Sequence, residues 1–259
     1  MEILHSNIVG VSDQHFIVLH GFLGMGDNWK THAKNWAEKG YCVHLVDQRN
    51  HGRSFWSDAF DYNIMAEDLS HYMDHHGVDQ AILLGHSMGG KTAMAFALQY
   101  PDRVQKLVVA DIAPKYYAPH HQQILAGLST LDFGEITSRK AAAQHLENYI
   151  GDAATRQFLL KNLYWVSDGK LGLRTNIAVL KNAAEAIGAA IEYQNAFQPP
   201  TLFLYGEHSN YINPQTDKDM IFRYFPQSEI IVIPDAGHWL HAEQPKLFFE
   251  KVIGWLSSK

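Results

Sequence analysis

Cysteine is nearly missing from this chain. Cys42 is the single one in 259 residues, so no intramolecular disulfide and no cysteine-rich zinc site can form. Positive charge is also scarce: 21 Lys and Arg stand against 27 Asp and Glu, a formal net charge of −6. That balance excludes a nucleic-acid binder driven by clustered phosphate contacts. No apolar run approaches the roughly 18 residues that a membrane span needs. The opening residues, Met1-Glu2-Ile3-Leu4-His5-Ser6, carry neither a basic stretch nor an apolar core. No signal peptide is therefore expected, and a reducing, cytoplasmic setting follows as the expectation. What is abundant is apolar side chain, 46% of residues, which rules out intrinsic disorder and allows a full core without staples.

The apolar residues fall into short runs separated by helical patterns. Phe16–Leu19, Tyr41–Val46, Ala81–Leu84 and Val104–Ala110 read as strands. Helices are expected between them, over about Asp27–Lys39, Asn63–His76 and Met88–Tyr100, two of them stopped by Gly40 and Gly77. Continuous apolar strands alternating with helices predict a mostly parallel sheet covered on both faces. After Asp111 the alternation stops. From Ile112 to Phe197 no convincing strand is found, while Ile124–Leu131, Ala141–Ile150 and Thr175–Tyr193 read as helices. Beyond Pro199-Pro200 the alternation resumes, with strands at Thr201–Tyr205 and Glu229–Ile233 and helices at Pro214–Phe225 and Gln244–Leu256. The expected organisation is an α/β core, residues 1–111 and 198–259, interrupted by an inserted helical cap, residues 112–197.

Ligands of an open parallel sheet bind at the carboxyl ends of the strands, so the residues just past each strand carry the argument. After the third strand stands Gly85-His86-Ser87-Met88-Gly89, which fits the G-x-S-x-G nucleophile elbow. A sharp strand-to-helix turn lifts the serine hydroxyl above the sheet, and glycines at both flanks let strand and helix approach. The amide of Met88 would then face a developing oxyanion. After the first strand, His20-Gly21-Phe22-Leu23-Gly24 brings a second amide, that of Phe22, toward the same place.

A serine needs a base. Among 16 histidines a lone one proves little, but His238 lies just past the last strand and follows the serine in chain order. His71, His75-His76 and His120-His121 are expected to face solvent. The orienting acid is less direct. The loop after Thr201–Tyr205 reads Gly206-Glu207-His208-Ser209, with serine where an aspartate would be expected, and a hydroxyl cannot supply negative charge. Two candidates remain: Glu207 in that loop, and Asp111 at the neighbouring strand end. Asp111 is preferred because its strand end can reach the same imidazole. Lys91, one turn along the elbow helix, is expected to be a buried stem or an ion-pair partner. The segment Asp47–Ser54 is expected to be structural, and Cys42 to be core.

Together these residues resemble the α/β-hydrolase superfamily over nearly the whole chain. His20–Gly24 with Asn28-Trp29, Asp47–Ser54, Gly85–Met94, Asp111-Ile112-Ala113-Pro114 and Gly237-His238-Trp239 are similar to YbfF-type esterases. That resemblance implies carboxylester hydrolysis, with acyl-CoA thioesters among the substrates. It also implies that the acid belongs to the Asp111-Ile112-Ala113-Pro114 segment. Ser87, Asp111 and His238 are thus the expected catalytic residues, with the Phe22 and Met88 amides as oxyanion hole. Leu23, Trp165 and Trp239 are expected in a substrate pocket, with other cap aromatics such as Tyr116, Tyr117, Phe133 and Tyr164 nearby. No metal or organic cofactor is called for. The expected partner is a small ester or thioester, not nucleic acid, and no pattern speaks to oligomeric state. Two rival readings share the motifs: a carbon–carbon bond hydrolase of the same fold, and a non-catalytic ligand receptor.

Overall fold

The computed structural model describes residues 2–258. Strand β1 (Ser6–Val9) is followed by β2 (His15–Leu19), a 3-10 turn over Gly26–Trp29 and helix α1 (Lys30–Ala37). Next come β3 (Cys42–Val46), α2 (Tyr62–His75), β4 (Ala81–His86), α3 (Met88–Gln99) and β5 (Val104–Ala110). After the intervening segment, β8 (Thr201–Gly206), α9 (Pro214–Tyr224), β9 (Ser228–Ile233), α10 (Leu240–Glu243) and α11 (Pro245–Ser258) complete the chain. Seven strands form one sheet in the order β1-β3-β2-β4-β5-β8-β9. Only β1 runs antiparallel, against β3; the other pairs are parallel.

The six strands expected from apolar runs are all in this sheet. In the inner strands this continuity reflects burial on both faces, because successive side chains point to opposite sides; β9, the second edge strand, is half-buried over Glu229–Val232. Along β4, Ala81 and Leu83 pack with Met65, Leu69 and Phe96 of α2 and α3. Ile82 and Leu84 pack on the other face with Trp29, Trp36, Phe248 and Trp255. Strand β1 has no such signature. It is a partly exposed edge strand, so only its pairing with β3 defines it.

The turn after β3 is polar yet buried. Asp47 accepts from the amides of Gly26 (2.7 Å) and Arg53 (2.8 Å), and Arg49 grips Asp68 of α2 through two nitrogens at 2.6 and 2.7 Å. This arrangement fastens α2 to the strand ends. Cys42 is buried at the start of β3.

Residues 112–200 hold α4 (Gln122–Ser129), α5 (Arg139–Glu147), α6 (Ala153–Leu160), a hairpin of β6 (Leu163–Ser167) with β7 (Lys170–Leu173), α7 (Ile177–Asn182) and α8 (Ala184–Gly188). The hairpin corrects the expectation that this segment contains no strand. Its turn carries Asp168-Gly169, with Gly169 at φ +71°, which is a hairpin signal. The helix expected over Thr175–Tyr193 is also broken, at Ala183, and ends at Gly188. A Cβ on Gly188 would lie 2.0 Å from the Tyr117 carbonyl oxygen, so this close backbone crossing needs glycine. Among the described residues no helix is long and apolar enough to cross a membrane.

Candidate active site

The turn between β4 and α3 is built by glycine. A Cβ on Gly85 would stand 2.1 Å from the Gly89 carbonyl oxygen, and one on Gly89 2.3 Å from the Leu19 carbonyl oxygen. Strand, turn and helix can close only with hydrogen at these positions. The closure forces Ser87 to φ +53°, ψ −118°, a strained conformation for a non-glycine residue. The result is a serine 9% exposed at the start of a 12-residue helix. The Met88 amide, at the first helical position, has no acceptor within the helix. The Phe22 amide, across the turn, has no acceptor among the described residues.

Three strand ends converge on His238. Its Nε2 accepts from Ser87 Oγ at 3.0 Å, and its Nδ1 donates to Asp111 Oδ2 at 2.7 Å. These partners set the neutral tautomer with the proton on Nδ1. The Tyr211 ring stacks on the imidazole at 3.8 Å and 14°, and His86 Nε2 donates to the His238 carbonyl at 2.8 Å. Burial, helped by nearby His120, pulls the His238 imidazole down to about 3. The resting ring is therefore neutral at neutral pH and free to take a proton.

Asp111 is fully buried and sits at φ +53° just past β5. Its Oδ1 accepts from the Gly206 amide at 3.1 Å, and its Oδ2 accepts from the Ser209 hydroxyl as well as from His238. Burial raises its carboxyl to about 6, while the Ser209 and Gly206 hydrogen bonds oppose the rise. Ser209, which stands where an acid was expected, thus donates to the acid of the neighbouring strand. Glu207 is exposed, and its Oε2 accepts from the Asp235 amide at 3.0 Å. It closes the crossing between the loops after β8 and β9 and makes no bond to His238.

The loop His20–Gly24 is held by two neutral histidines. His20 Nδ1 donates to the Gly21 carbonyl (2.8 Å) and its Nε2 accepts from the Gln48 amide (3.0 Å). His51 Nδ1 donates to the Arg49 carbonyl (2.9 Å) and its Nε2 accepts from the Leu23 amide (3.2 Å). Burial lowers His20 to about 4 and His51 to about 3, which keeps both acceptors open. The polar segment after β3 therefore positions the loop beside Ser87.

Ser87 opens onto two cavities of unequal size. The larger, about 600 Å³, is lined by Leu23, His121, Phe158, His238 and Trp239 among others. The smaller, about 30 Å³, is bounded by Met88, Lys91, Ile112, Tyr117 and Ile187.

This geometry coincides with a family relationship. A family described as alpha/beta hydrolase fold matches residues 14–245. The chain belongs to it. Among its relatives, mouse sn-1-specific diacylglycerol lipase ABHD11 is 37% identical over 248 residues, covering 93% of this chain and 80% of that one. Esterase YbfF of Escherichia coli K12 is 34% identical over 242 residues, 93% and 92% of the two chains. A solved structure of a marine microorganism esterase superposes with a TM-score of 0.94 at 40% identity, covering 98% and 99%.

Within this α/β hydrolase, Leu23 and Trp239 line the larger cavity. Trp165 does not. It stands 53% exposed on β6, because the hairpin turns that face outward. Of the pair His120-His121, expected at the surface, His120 is exposed and His121 is half-buried, and both border the cavities beside Ser87: His120 Nε2 bonds the Tyr211 hydroxyl at 2.6 Å, and His121 packs on Phe22 at 4.9 Å. No local pattern marks them, since they follow no strand. Phe158, another lining residue, belongs to α6, whose Asp152 cap accepts from the Thr155 amide at 2.6 Å; that helix start was legible. Lys91 is 1% exposed and meets no carboxylate among the described residues. Its ammonium donates to the carbonyls of Lys115 (2.9 Å), Gly188 (3.0 Å) and Ala189, and burial lowers it to about 7. It ties α3 to the end of α8.

Proposed function

We propose that this chain hydrolyses carboxylic esters through an acyl-enzyme on Ser87. The observation that carries the reading is the hydrogen-bonded line Ser87–His238–Asp111 opening on a cavity of about 600 Å³. The esterase and lipase names of the relatives support it.

In this reading Ser87 Oγ attacks the acyl carbonyl while His238 Nε2 takes its proton, and the amides of Phe22 and Met88 hold the oxyanion. His238 then passes the proton to the leaving oxygen. Water repeats the sequence: its proton goes to His238, its oxygen to the acyl carbon, and Ser87 leaves reprotonated. Asp111 fixes the tautomer and stabilises the imidazolium that forms. Thioesters, including those of coenzyme A, fit the same steps. Residues 112–197 act as the cap over the site, and residues 1–111 and 198–259 as the catalytic core. A fluorophosphonate probe is expected to add one label, on Ser87, and to abolish p-nitrophenyl ester hydrolysis in proportion. A labelled residue other than Ser87, or hydrolysis that survives full labelling, rejects the assignment.

The acid limb of kcat/KM follows from the Asp111–His238 pair, which titrates as a unit. With the carboxyl raised to about 6, activity is full above that value and is lost as pH falls through it. Ser209→Ala removes a bond that lowers the pair. The limb is therefore expected to move up by about one pH unit, the size of one charge-assisted hydrogen bond. Ser209→Thr, which keeps the hydroxyl, is expected to restore it. A pH–rate profile unchanged in Ser209→Ala would exclude this role.

A further inference from the structure

An ester bound at Ser87 has two arms, and the proton route decides where each one goes. The leaving oxygen must take its proton from His238 Nε2, so the alcohol arm lies on the His238 side. His238 and Trp239 border the large cavity and not the small one. Met88 and Ile112 border the small cavity and not the large one, while Ser87 borders both. The acyl arm, directed away from His238, meets the small cavity.

We propose that the small cavity is the acyl site, that the large cavity takes the leaving group, and that the substrates are esters of short acids with bulky alcohols. This rests on the reading of Ser87 as nucleophile. Space of about 30 Å³ holds a group on the scale of a water molecule or a methyl, hence an acetyl or a propionyl chain. The large cavity, about 600 Å³, has room for an alcohol of many heavy atoms.

The small cavity is also walled in part by elements that cannot yield cheaply. One part of its cap side is the stretch Tyr117–His121 and the other is Ala184, Ile187 and Gly188 of α8, and that helix is fastened at three points. Tyr62 Oη donates to the Ile187 carbonyl at 2.6 Å, the Tyr117 amide donates to the Gly188 carbonyl at 2.8 Å, and Lys91 donates to Gly188 and Ala189. Its floor is the elbow helix itself. Lys91 thus acquires a use that neither an ion pair nor catalysis explains: it holds the acyl wall in place. A further void of about 10 Å³ lies beyond Ile187 and Ala184, so shortening Ile187 joins the two spaces.

The test is a pair of ester series on the purified protein. In p-nitrophenyl esters from acetyl to octanoyl, kcat/KM is expected to fall by at least about 30-fold, because each misfit methylene costs about tenfold or more in a closed pocket. In acetates from ethyl to octyl alcohol it is expected to hold within about threefold or to rise, as apolar area is buried in the large cavity. Ile187→Ala is expected to raise the octanoyl-to-acetyl ratio at least about fivefold. Octanoyl esters turned over as well as acetyl esters by the unaltered protein would overturn the proposal, as would an unchanged ratio in a folded Ile187→Ala. The unaltered protein decides the matter alone should the variant fail to fold. Absence of all ester hydrolysis and of Ser87 labelling would instead reject the nucleophile reading, so the two failures are distinct.

Discussion

Asp111→Asn is expected to lower kcat by about 10⁴-fold, short of the loss of about 10⁶-fold in Ser87→Ala, while Glu207→Gln stays within about twofold. The carboxyl of Asp111 accepts from His238, Ser209 and Gly206. An amide in its place matches its shape but can present its NH₂ to His238 Nδ1. The ring would then carry its proton on Nε2, facing Ser87, and could not accept the serine proton. The backbone adds a reason to choose asparagine: at φ +53° it is tolerated better than alanine, so lost turnover is not confused with lost fold. Glu207 is exposed and bonded to the Asp235 amide, so its neutralisation removes one loop hydrogen bond. Steady-state rates with near-ultraviolet circular dichroism on each variant check the comparison. Turnover that collapses in Glu207→Gln and survives in Asp111→Asn would make Glu207 the acid.

Gly85→Ala is expected to destabilise the fold by more than about 4 kcal/mol, beyond the range of ordinary substitutions. The added methyl would meet Gly89 O at 2.1 Å, Gly89 C at 2.4 Å and Gly90 Cα at 2.6 Å. All three are backbone atoms of the elbow helix, so no side chain can move aside. The first turn of α3 would have to leave β4, at the centre of the sheet. Gly254→Ala is the control of opposite sign. Its Cβ would meet nothing within 4 Å, it lies inside α11, and alanine there is expected to stabilise by about 0.5–1 kcal/mol. Urea denaturation midpoints measure both, and a soluble Gly85→Ala with an unchanged midpoint would contradict the packing argument.

Much of this architecture was legible without coordinates. The inner parallel strands announce themselves because a strand stretch covered on both faces must be apolar. Phe16–Leu19, Ala81–Leu84 and Leu202–Leu204 are such runs, and each is buried throughout. The elbow is legible for a similarly local reason, since Gly85, Ser87 and Gly89 lie within one turn whose sterics admit few residues. Partly exposed elements were not. Strand β1 is an edge whose side chains face both solvent and protein. The β6–β7 hairpin presents mostly exposed residues, so it lacks the apolar run that betrays a core strand. Its Asp168-Gly169 turn was the available signal.

Short-range constraints, readable along the chain, set the alternation of strands and helices, the serine on its strained turn and a histidine past the last strand. Which carboxylate meets that histidine is a matter of long-range packing. Asp111 and Glu207 both follow strands, and the choice depends on how the ends of β5 and β8 sit side by side, with Ser209 folding back onto the neighbouring acid. Packing also brings His120 and His121 to the cavities beside Ser87 while Trp165 faces outward. The narrowness of the smaller cavity is set in the same way, by where α8 is pinned against α3. Contacts between residues tens of positions apart leave no periodic trace along the chain, because they are set by the convergence of strand ends and not by any one segment's own pattern.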